Sequence, residues 1–212
     1  MQNKTAIITL MRKGSKRLPG KNKLPFRGKP LYMHTVDFAV ELSGEIGAPY
    51  YLLHDYDDIP EIQGVTQITG LPDFGGDVHN TSQNIIDSKI MADVYILLQP
   101  TSPIRNIQCI IDDFHSFNCH NFKCGLSVSI TDTGFFYNDH GRMWNTNNNY
   151  RNYVTKPTPV YKETGSYYFF KRKQIFKDHI LLGCEKPGLY QDVVDIDINT
   201  QEDYEELLKN YE

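Results

Sequence analysis

Short runs of apolar residues recur along this chain, and longer stretches with helical spacing separate them. Several of these runs are too continuously apolar to leave one face in water, which is typical of strands inside a parallel sheet. Strand and helix in alternation predict an α/β fold, with a mainly parallel sheet flanked by helices. The predicted strands are TAIITL (residues 5–10), YYLL (50–53), VYILLQ (94–99), GLSVSI (125–130), GSYYFF (165–170) and VVDIDI (193–198).

Four amphipathic stretches predict helices, namely LYMHTVDFAVELS, HNTSQNIIDSKIMA, IQCIIDDFHSF and TQEDYEELLKNY. The last opens on Thr200, an expected N-cap because acidic residues follow in the first turn. Residues 132–158 break the alternation, since they are rich in Asn and aromatic side chains and have little periodicity. We therefore expect a single domain over residues 1–212 with an inserted lobe at about residues 132–160.

The balance of charge excludes one large class of partner. The chain has 212 residues, with 22 Lys and Arg against 26 Asp and Glu, and a formal net charge of -4. A nucleic-acid-binding surface would need an excess of basic residues. The longest apolar run near the start, AIITLM, is too short for a signal peptide or a membrane span, so we expect a cytoplasmic protein without membrane contact.

The cysteines favour the same compartment. Cys109, Cys119, Cys124 and Cys184 form no CxxC pair and show no spacing of a disulfide framework. The segment HSFNCHNFKC matches no standard zinc spacing. We expect unpaired thiols and no structural zinc.

A local concentration of positive charge stands out in this acidic chain. RKGSKRLPGKN, the basic loop (residues 12–22), has five basic side chains in eleven positions and directly follows the first predicted strand. Ligands of open α/β sheets bind beyond the carboxyl ends of strands. Because this loop is basic and lies at such an end, we expect it to bind a polyphosphate. Gly14 and Gly20 would allow close backbone approach. The spacing is neither a P-loop nor GxGxxG, and a solvated surface loop stays open as an alternative.

Three segments carry a family resemblance. GSKRLPGKN after an AII strand, LLQPTSPIR at residues 97–105 and DIDINTQED at 195–203 resemble, in order and spacing, the signature of the cytidylyltransferases that activate sialic acid and related sugars. The last two resemble that family's LLQPTSPLR and DIDTxED. HDYDDIPEI at residues 54–62 is a weaker match to a second-strand segment.

The resemblance implies a fold, an activity and a set of partners. The fold is a Rossmann-like nucleotidyltransferase fold, with a mainly parallel mixed sheet and a small lobe that forms a homodimer. The reaction transfers CMP from CTP to a nonulosonic, sialic-like acid and releases pyrophosphate. It also implies nucleotide-binding residues, with Arg12 and Lys21 as catalytic residues and Asn22 near the base or ribose: Arg12, Gly14, Ser15, Lys16, Lys21 and Asn22.

The terminal DID segment implies a metal. Asp195 and Asp197 alternate on the predicted strand, so both face one side and offer two carboxylates to Mg²⁺. By the resemblance, Mg²⁺ bridges this pair to the triphosphate, and Asp197 is catalytic. Without the motif, such a pair is equally expected on a solvated strand edge.

The sugar side rests on the resemblance as well. Gln99 is the expected sugar contact, Thr101 and Ser102 shape its loop, and Thr164 and Gly165 border the pocket, whereas residues 167–170 are expected in the core. The family's arginine for the sugar carboxylate is missing: Val154 stands in its place. Lys156, Lys162 and Arg151 remain nearby, and of these Lys156 and Lys162 are the candidates for substrate binding.

Departures from the pattern keep three hypotheses open. The first is a CMP-sugar synthetase for a nonulosonic acid. The second keeps the fold and uses another acceptor, such as a sugar 1-phosphate, which would explain the missing arginine. The third is a noncatalytic nucleotide- or sugar-binding relative, which would not need a complete phosphate and metal set. The base-side arginine is also absent, since Gly70 and Leu71 occupy that region.

Overall fold

A computed structural model describes residues 4–72, 74, 81–131, 160–176, 187–192, 194 and 196–212. The lobe expected at about residues 132–160 lies outside this part of the chain, apart from the first residue of one strand.

A seven-stranded sheet forms the centre of the fold, in the order β5-β4-β1-β6-β8-β7-β9. Strands β5, β4, β1 and β6 are parallel to one another, β8 is antiparallel to both of its neighbours, and β9 is parallel to β7. The predicted mainly parallel mixed sheet is confirmed. The strands are β1 (Thr5–Met11), β4 (Tyr50–His54), β5 (Thr66–Ile68), β6 (Val94–Leu98), β7 (Cys124–Thr131), β8 (Val160–Lys171) and β9 (Gly188–Gln191).

The four predicted helices are present, and one short helix was not predicted. They are α1 (Leu31–Ile46), α2 (Thr81–Asp87), α3 (Ile107–Cys119), α4 (Arg172–Phe176), which is the short one, and α5 (Gln201–Tyr211). Between β1 and α1 lie a 3-10 turn (Lys21–Lys23) and a small hairpin of β2 (Pro25–Phe26) and β3 (Lys29–Pro30). The helix α1 ends where Gly47 takes a left-handed conformation with φ 64°.

Both faces of the sheet are buried, as the continuous apolar runs require. One face contributes Ile7, Leu52 and Ile96 to a core with α1 and α3, and the other contributes Ile8, Leu53 and Tyr95 to a core with α2 and α4. The aromatic run of β8 is buried as expected: Tyr167, Tyr168, Phe169 and Phe170. A third cluster joins the basic loop to the C-terminal helix, since Leu18 and Phe26 pack with Ile198 and Tyr204.

The predicted strand VVDIDI is wrong. Its described residues, 194 and 196–198, are not in a strand, whereas β9 begins earlier, at Gly188. Ile198 is completely buried in the third cluster, and its N–H donates to the Thr101 carbonyl at 2.9 Å. The apolar alternation thus serves packing against α5, and the geometric argument that Asp195 and Asp197 share a strand face no longer holds.

One expectation about the cysteines is also wrong. Cys109 and Cys119 are free thiols, but the buried Cys124 is disulfide-bonded.

Within the described residues, every helix is too short or too polar to cross a membrane.

The N-terminus of α5 forms the predicted cap. The Thr200 hydroxyl accepts a hydrogen bond from the Asp203 N–H at 3.3 Å, and the Asp203 carboxylate accepts from the Thr200 N–H at 2.8 Å. This reciprocal capping box satisfies two backbone donors that have no partner within the helix.

We expect Thr200→Ala to lower the free energy of unfolding by about 1 kcal/mol, because the cap acceptor is lost. Thr200→Ser keeps the hydroxyl and serves as the matched control. Urea unfolding followed by circular dichroism measures both variants, and equal destabilisation by Ala and Ser would contradict the capping role.

Candidate active site

Three loops meet at one edge of the sheet. Strands β1, β4 and β6 are parallel neighbours, so the segments that follow them leave the sheet at the same edge. These segments are residues 12–20, 55–58 and 99–105, and β8 enters the sheet beside them, with Tyr167 opposite Leu98. Carboxyl edges of this kind are where α/β proteins bind ligands.

The turn after β4 holds one side of the basic loop. Lys13 forms an ion pair with Asp57 at 3.0 Å, and its N–H donates to the Asp55 carboxylate at 2.5 Å. Lys23 pairs with Asp58, and this contact lowers the pKa of the Asp58 carboxyl. The partners of each ion pair are partly or largely exposed, so each pair adds little stability. Together the contacts join residues 13 and 23 to the turn after β4.

Asn22 stabilises the basic loop through hydrogen bonds of its buried side chain. Its side chain is 2% exposed, and its Nδ2 donates to the Arg12 carbonyl at 3.1 Å and lies 3.3 Å from the Tyr56 hydroxyl. Tyr56 also donates to the Arg12 carbonyl, at 3.2 Å. The chain turns sharply just before Asn22, where Gly20 has φ 69°. Asn22 therefore supports the loop at the position where Arg12 begins.

Asn199 accepts hydrogen bonds from two cationic side chains of the basic loop. Its Oδ1 accepts from Arg17 Nη2 at 2.9 Å and from Lys21 Nζ at 3.1 Å, while its Nδ2 donates to Asp197 Oδ2 at 2.6 Å. Lys21 also donates to the Ile198 carbonyl at 3.2 Å. Asn199 was not among the predicted site residues, although the sequence contains a signal for it: counted back from Thr200, the DID of the DIDTxED pattern falls on residues 197–199.

The surroundings of Lys21 lower the pKa of its ammonium group. Burial lowers the pKa of its ammonium below the usual 10.5, while the nearby Asp197 carboxylate acts in the opposite direction. Arg17 and Arg12 add a further lowering through charge repulsion. A group in this state gains from contact with an anion, because the anion offsets both burial and repulsion.

Gly165 brings Asp197 close to the sheet. It has φ +74°, and a Cβ built on it would lie 3.2 Å from Asp197 Oδ2. Thr164 beside it donates to Ser127 Oγ at 2.7 Å, at the irregularity between β7 and β8. Only glycine suits this position, because it combines positive φ with a carboxylate in contact.

A divalent cation would need oxygen ligands at this edge. Asp197 supplies one carboxylate, whereas Asp195 lies outside the described residues. The described residues contain no cluster of three or more His, Cys, Asp or Glu side chains that could hold a metal. Magnesium commonly uses one or two carboxylates together with substrate phosphates, so Asp197 fits a cation that binds with a nucleotide.

Arg105 fixes the loop that follows β6. It is half-buried, and it donates to the Ser166 carbonyl at 2.9 Å, to Thr35 Oγ1 at 2.9 Å and to the Gln99 carbonyl. Burial lowers its pKa to about 10, so the guanidinium stays charged at neutral pH. Arg105 therefore joins β6, β8 and α1 directly behind Gln99, a role that its sequence position alone does not indicate.

A cavity of about 300 Å³ lies between the basic loop, the segment that follows β6, the start of α2 and Asn199. Of the predicted residues, Arg12, Lys21, Asn22, Gln99 and Thr101 line it, and Arg17 and Asn199 join them. Ser102 is buried, at 1% exposure. Gly14 and Lys16 are exposed on the basic loop, where Ser15 is half-buried and donates its N–H to the Lys13 carbonyl at 3.1 Å.

A second cavity, of about 480 Å³, lies next to the first and shares Arg17 and Asn199 with it. Asp197, Lys162 and Thr164 line this second space. Lys156 and Asp195 lie outside the described residues, as do Val154 and Arg151. The predicted residues are thus distributed over two neighbouring cavities along the same edge.

The part of the chain that contains the basic loop is similar to a known protein family. A family model described as Cytidylyltransferase matches residues 6–46, which span β1, the basic loop and α1. A CMP-N,N'-diacetyllegionaminic acid synthase from Legionella pneumophila is 27% identical over 91% of this chain and 90% of its own length. The predicted resemblance to the cytidylyltransferases is confirmed.

A second cytidylyltransferase relative is longer than this chain. The N-acylneuraminate cytidylyltransferase of Streptococcus agalactiae is 25% identical over 95% of this chain, which spans 52% of that relative's length.

Solved structures show the same fold. A CMP:2-keto-3-deoxy-manno-octonic acid synthetase complexed with CTP superposes with TM-score 0.70 at 16% identity and covers 97% of each chain. A 4-diphosphocytidyl-2C-methyl-D-erythritol synthase from Anaerococcus prevotii superposes with TM-score 0.63 at 13% identity, over 95% of this chain and 94% of its own. The Rossmann-like nucleotidyltransferase fold predicted for this chain is therefore confirmed.

We expect the affinity of the wild-type protein for a nucleoside triphosphate, measured with CTP, to fall as the pH rises towards 10.5, because Lys21 has a lowered pKa and loses its positive charge at a lower pH than an ordinary lysine does. Lys21→Arg keeps its charge over this range and should show a flatter profile. Calorimetric titrations at a series of pH values measure both proteins, and parallel profiles would contradict the role of Lys21.

Proposed function

We propose that this protein transfers CMP from CTP to an acidic sugar of the nonulosonic class, with release of pyrophosphate. The observation that carries the proposal is the convergence of Arg12, Arg17 and Lys21 on one cavity at the carboxyl edge of the sheet. All three of these cationic side chains lie within residues 6–46, the part of the chain that matches the cytidylyltransferase family model.

The cationic residues suit attack on a phosphorus atom. The α-phosphorus of a nucleoside triphosphate is shielded by negative charge, so catalysis depends on positioning and on neutralising that charge. Lys21 and Arg12 are the proposed catalytic cations. The Ser15 hydroxyl, the Lys16 side chain and the backbone at Gly14 are the proposed additional phosphate contacts. Lys21 and Arg17 now share a neutral amide oxygen on Asn199, which an anionic phosphate oxygen can replace because its charge attracts both cations more strongly.

Magnesium is the proposed cofactor, held by Asp197 and Asp195. When bound, it would neutralise triphosphate charge and lower the pKa of a coordinated hydroxyl. Among the described residues, Gly165 keeps the Asp197 carboxylate close to the sheet, and Asn199 Nδ2 orients one of its oxygens. The chain's own contribution is thus a carboxylate fixed beside the cations of the basic loop.

The acceptor is proposed to enter beside Gln99. Arg105 holds the Gln99 backbone from behind, and Thr101 and Ser102 continue the same turn. The adjacent cavity offers Lys162 to a sugar carboxylate, with Lys156 as a further candidate. A sugar 1-phosphate remains the second acceptor class, since a lysine attracts a phosphate as readily as a carboxylate.

A homodimer and a cytoplasmic location complete the proposal. The homodimer rests on the resemblance, with the lobe at about residues 132–160 as the proposed contact, whereas the cytoplasmic location rests on the short apolar run AIITLM. Sedimentation velocity would detect the dimer.

Pyrophosphate release, measured for every combination of nucleotide and acceptor, tests the proposed function. The four nucleoside triphosphates are combined with nonulosonic acids and with sugar 1-phosphates, each with Mg²⁺ and with EDTA. We expect turnover with CTP, a nonulosonic acid and Mg²⁺, and a loss of about 100-fold or more in kcat for Lys21→Ala, because one charge contact in the transition state is removed.

Lys173→Ala is the control, since this exposed residue lies in α4, at the opposite edge of the sheet from the basic loop. Turnover only with sugar 1-phosphates would favour the second acceptor class. Nucleotide binding without pyrophosphate release under any combination would support a noncatalytic relative instead.

A further inference from the structure

A glutamate and a tyrosine of β8 connect the two neighbouring cavities at the edge of the sheet. Glu163 lines the cavity of about 480 Å³, whereas Gln99 is half-buried and lines the cavity of about 300 Å³. Tyr168 is 5% exposed, and its hydroxyl donates a hydrogen bond to the Glu163 carboxylate. Glu163 was not among the predicted site residues, and Tyr168 was expected in the core.

An irregularity in β8 brings Glu163 and Tyr168 side by side. On β7, the partner of Tyr168 is Leu126. The partner of Glu163 is Val128, so two steps along β7 correspond to five steps along β8. The extra residues of β8 include Gly165, whose φ is +74°. In a regular strand, residues five positions apart are separated by about 17 Å, which is too far for a hydrogen bond between their side chains.

Gln99 lies on the same face of the sheet as Tyr168. Leu97 is the partner of Tyr168 across β6 and β8, and Gln99 follows Leu97 by two positions. The Gln99 N–H donates to the Ser166 carbonyl at 3.2 Å, which continues the pairing past the end of β6. Gln99 and Tyr168 are thus diagonal neighbours, and long side chains at such positions can touch. Burial raises the pKa of the Tyr168 hydroxyl, the hydrogen bond to Glu163 raises it further, and a hydrogen bond with the Gln99 side chain acts in the opposite direction.

The Glu163 carboxylate fixes the direction of both hydrogen bonds. A carboxylate only accepts, and a tyrosine hydroxyl has one hydrogen. Because Tyr168 donates that hydrogen to Glu163, its oxygen can only accept from Gln99. The Gln99 amide must therefore turn its Nε2 toward Tyr168, and its Oε1 points away from the hydroxyl. This orientation follows from the chemistry of the three groups.

We propose that Glu163 is a positioning residue for the acceptor: through Tyr168 it directs Gln99 Oε1 into the cavity, where this oxygen accepts a hydrogen bond from a hydroxyl or an amide N–H of the sugar. The inference rests on the proposed function, because it assumes that the acceptor enters beside Gln99. An amide oxygen repels a carboxylate, so the acidic group of the sugar lies elsewhere, and Lys162 in the neighbouring cavity suits it.

Loss of the carboxylate would remove this control over Gln99. In Glu163→Ala, the Tyr168 hydroxyl could donate to Gln99 Oε1, so the amide would populate both orientations. The acceptor oxygen would then face the sugar for only part of the time. We therefore expect the affinity for the acceptor to fall, whereas binding of the nucleotide should not change.

Steady-state kinetics of pyrophosphate release, with CTP and N,N'-diacetyllegionaminic acid, tests this expectation on Glu163→Ala, Tyr168→Phe and the double variant. Glu163→Ala should raise the KM for the acceptor by about 10-fold and leave kcat and the KM for CTP within about twofold. Tyr168→Phe removes the bridging hydroxyl and keeps the ring, so it should have the same effect. Because the two residues act as one unit, the double variant should be no worse than either single variant.

The orientation of Gln99 can be followed without turnover. In isotope-labelled protein, the side-chain amide resonance of Gln99 is assigned by its loss in Gln99→Met. It should shift in Glu163→Ala and in Tyr168→Phe. Glu41→Ala is the matched control, since Glu41 is an exposed carboxylate on α1, and it should leave both the resonance and the KM for the acceptor unchanged.

Two results would overturn the inference. One is an unchanged KM for the acceptor or an unchanged Gln99 resonance in Glu163→Ala. The other is a KM in the double variant equal to the product of the two single effects, since the residues would then act independently. If melting temperatures show that Tyr168→Phe does not fold, Glu163→Ala decides, because Glu163 is exposed.

The two proposals fail in different ways. Absence of pyrophosphate release by the wild type would refute the proposed function, and the response of the Gln99 resonance to Glu163→Ala would then decide the positioning role. Normal turnover with an acceptor KM that does not respond to Glu163→Ala would refute the positioning role and leave the proposed function intact.

Discussion

Repulsion between like charges is the constraint on which this site depends. Five basic side chains follow one strand within eleven positions, and in isolation such a segment would spread apart. The fold opposes this from two sides. Asp55 and Asp57 contact Lys13 in the loop, and Asp58 pairs with Lys23 just after it, while Asn199 accepts hydrogen bonds from Arg17 and Lys21.

The two supports differ in charge, and that difference explains how the loop can bind an anion. Full ion pairs hold Lys13 and Lys23 at the outside, where both partners are partly or largely exposed. Lys21 and Arg17 are held by a neutral oxygen instead, so their charge is not cancelled where they reach the cavity. The loop therefore has a fixed shape and keeps a net positive potential toward its interior.

The rest of the edge is joined to this loop through the backbone. Thr101 accepts from Ile198, which places the segment after β6 against the C-terminal segment. Gly165 brings β8 against Asp197, and Arg105 ties Ser166 to Gln99. These contacts join four separate parts of the chain, so a change in one of them is expected to move the others.

Local patterns in the sequence predicted the elements whose residues are buried on both faces. Strands β1, β4, β6, β7 and β8 and the longer helices follow from continuous apolar runs and helical spacing. VVDIDI was wrong because its alternating isoleucines pack in the cluster with Leu18 and Tyr204 and do not extend the sheet. Short β5, β9 and α4 carry too few residues for a pattern to be distinctive.

Only part of the site could be predicted from the sequence, because local patterns identify residues that lie close together in the chain. Arg12 and Lys21 belong to a motif that is contiguous in sequence, so a pattern identifies them. The roles of Tyr56, Arg105 and Asn199 depend on contacts between segments that are distant in sequence, such as the 178 positions between Lys21 and Asn199. No local pattern contains that information.

Binding of a polyphosphate by the basic loop can be measured by titrating the wild-type protein with CMP, CDP and CTP at constant ionic strength. The base and ribose are the same in all three ligands, so only the number of phosphates changes. We expect the affinity of the protein for the nucleotide to rise by about tenfold with each added phosphate, equivalent to about 1.4 kcal/mol. This rise should diminish at high salt, because salt screens the charges. Equal affinity for CMP and CTP would contradict binding of the polyphosphate by the basic loop.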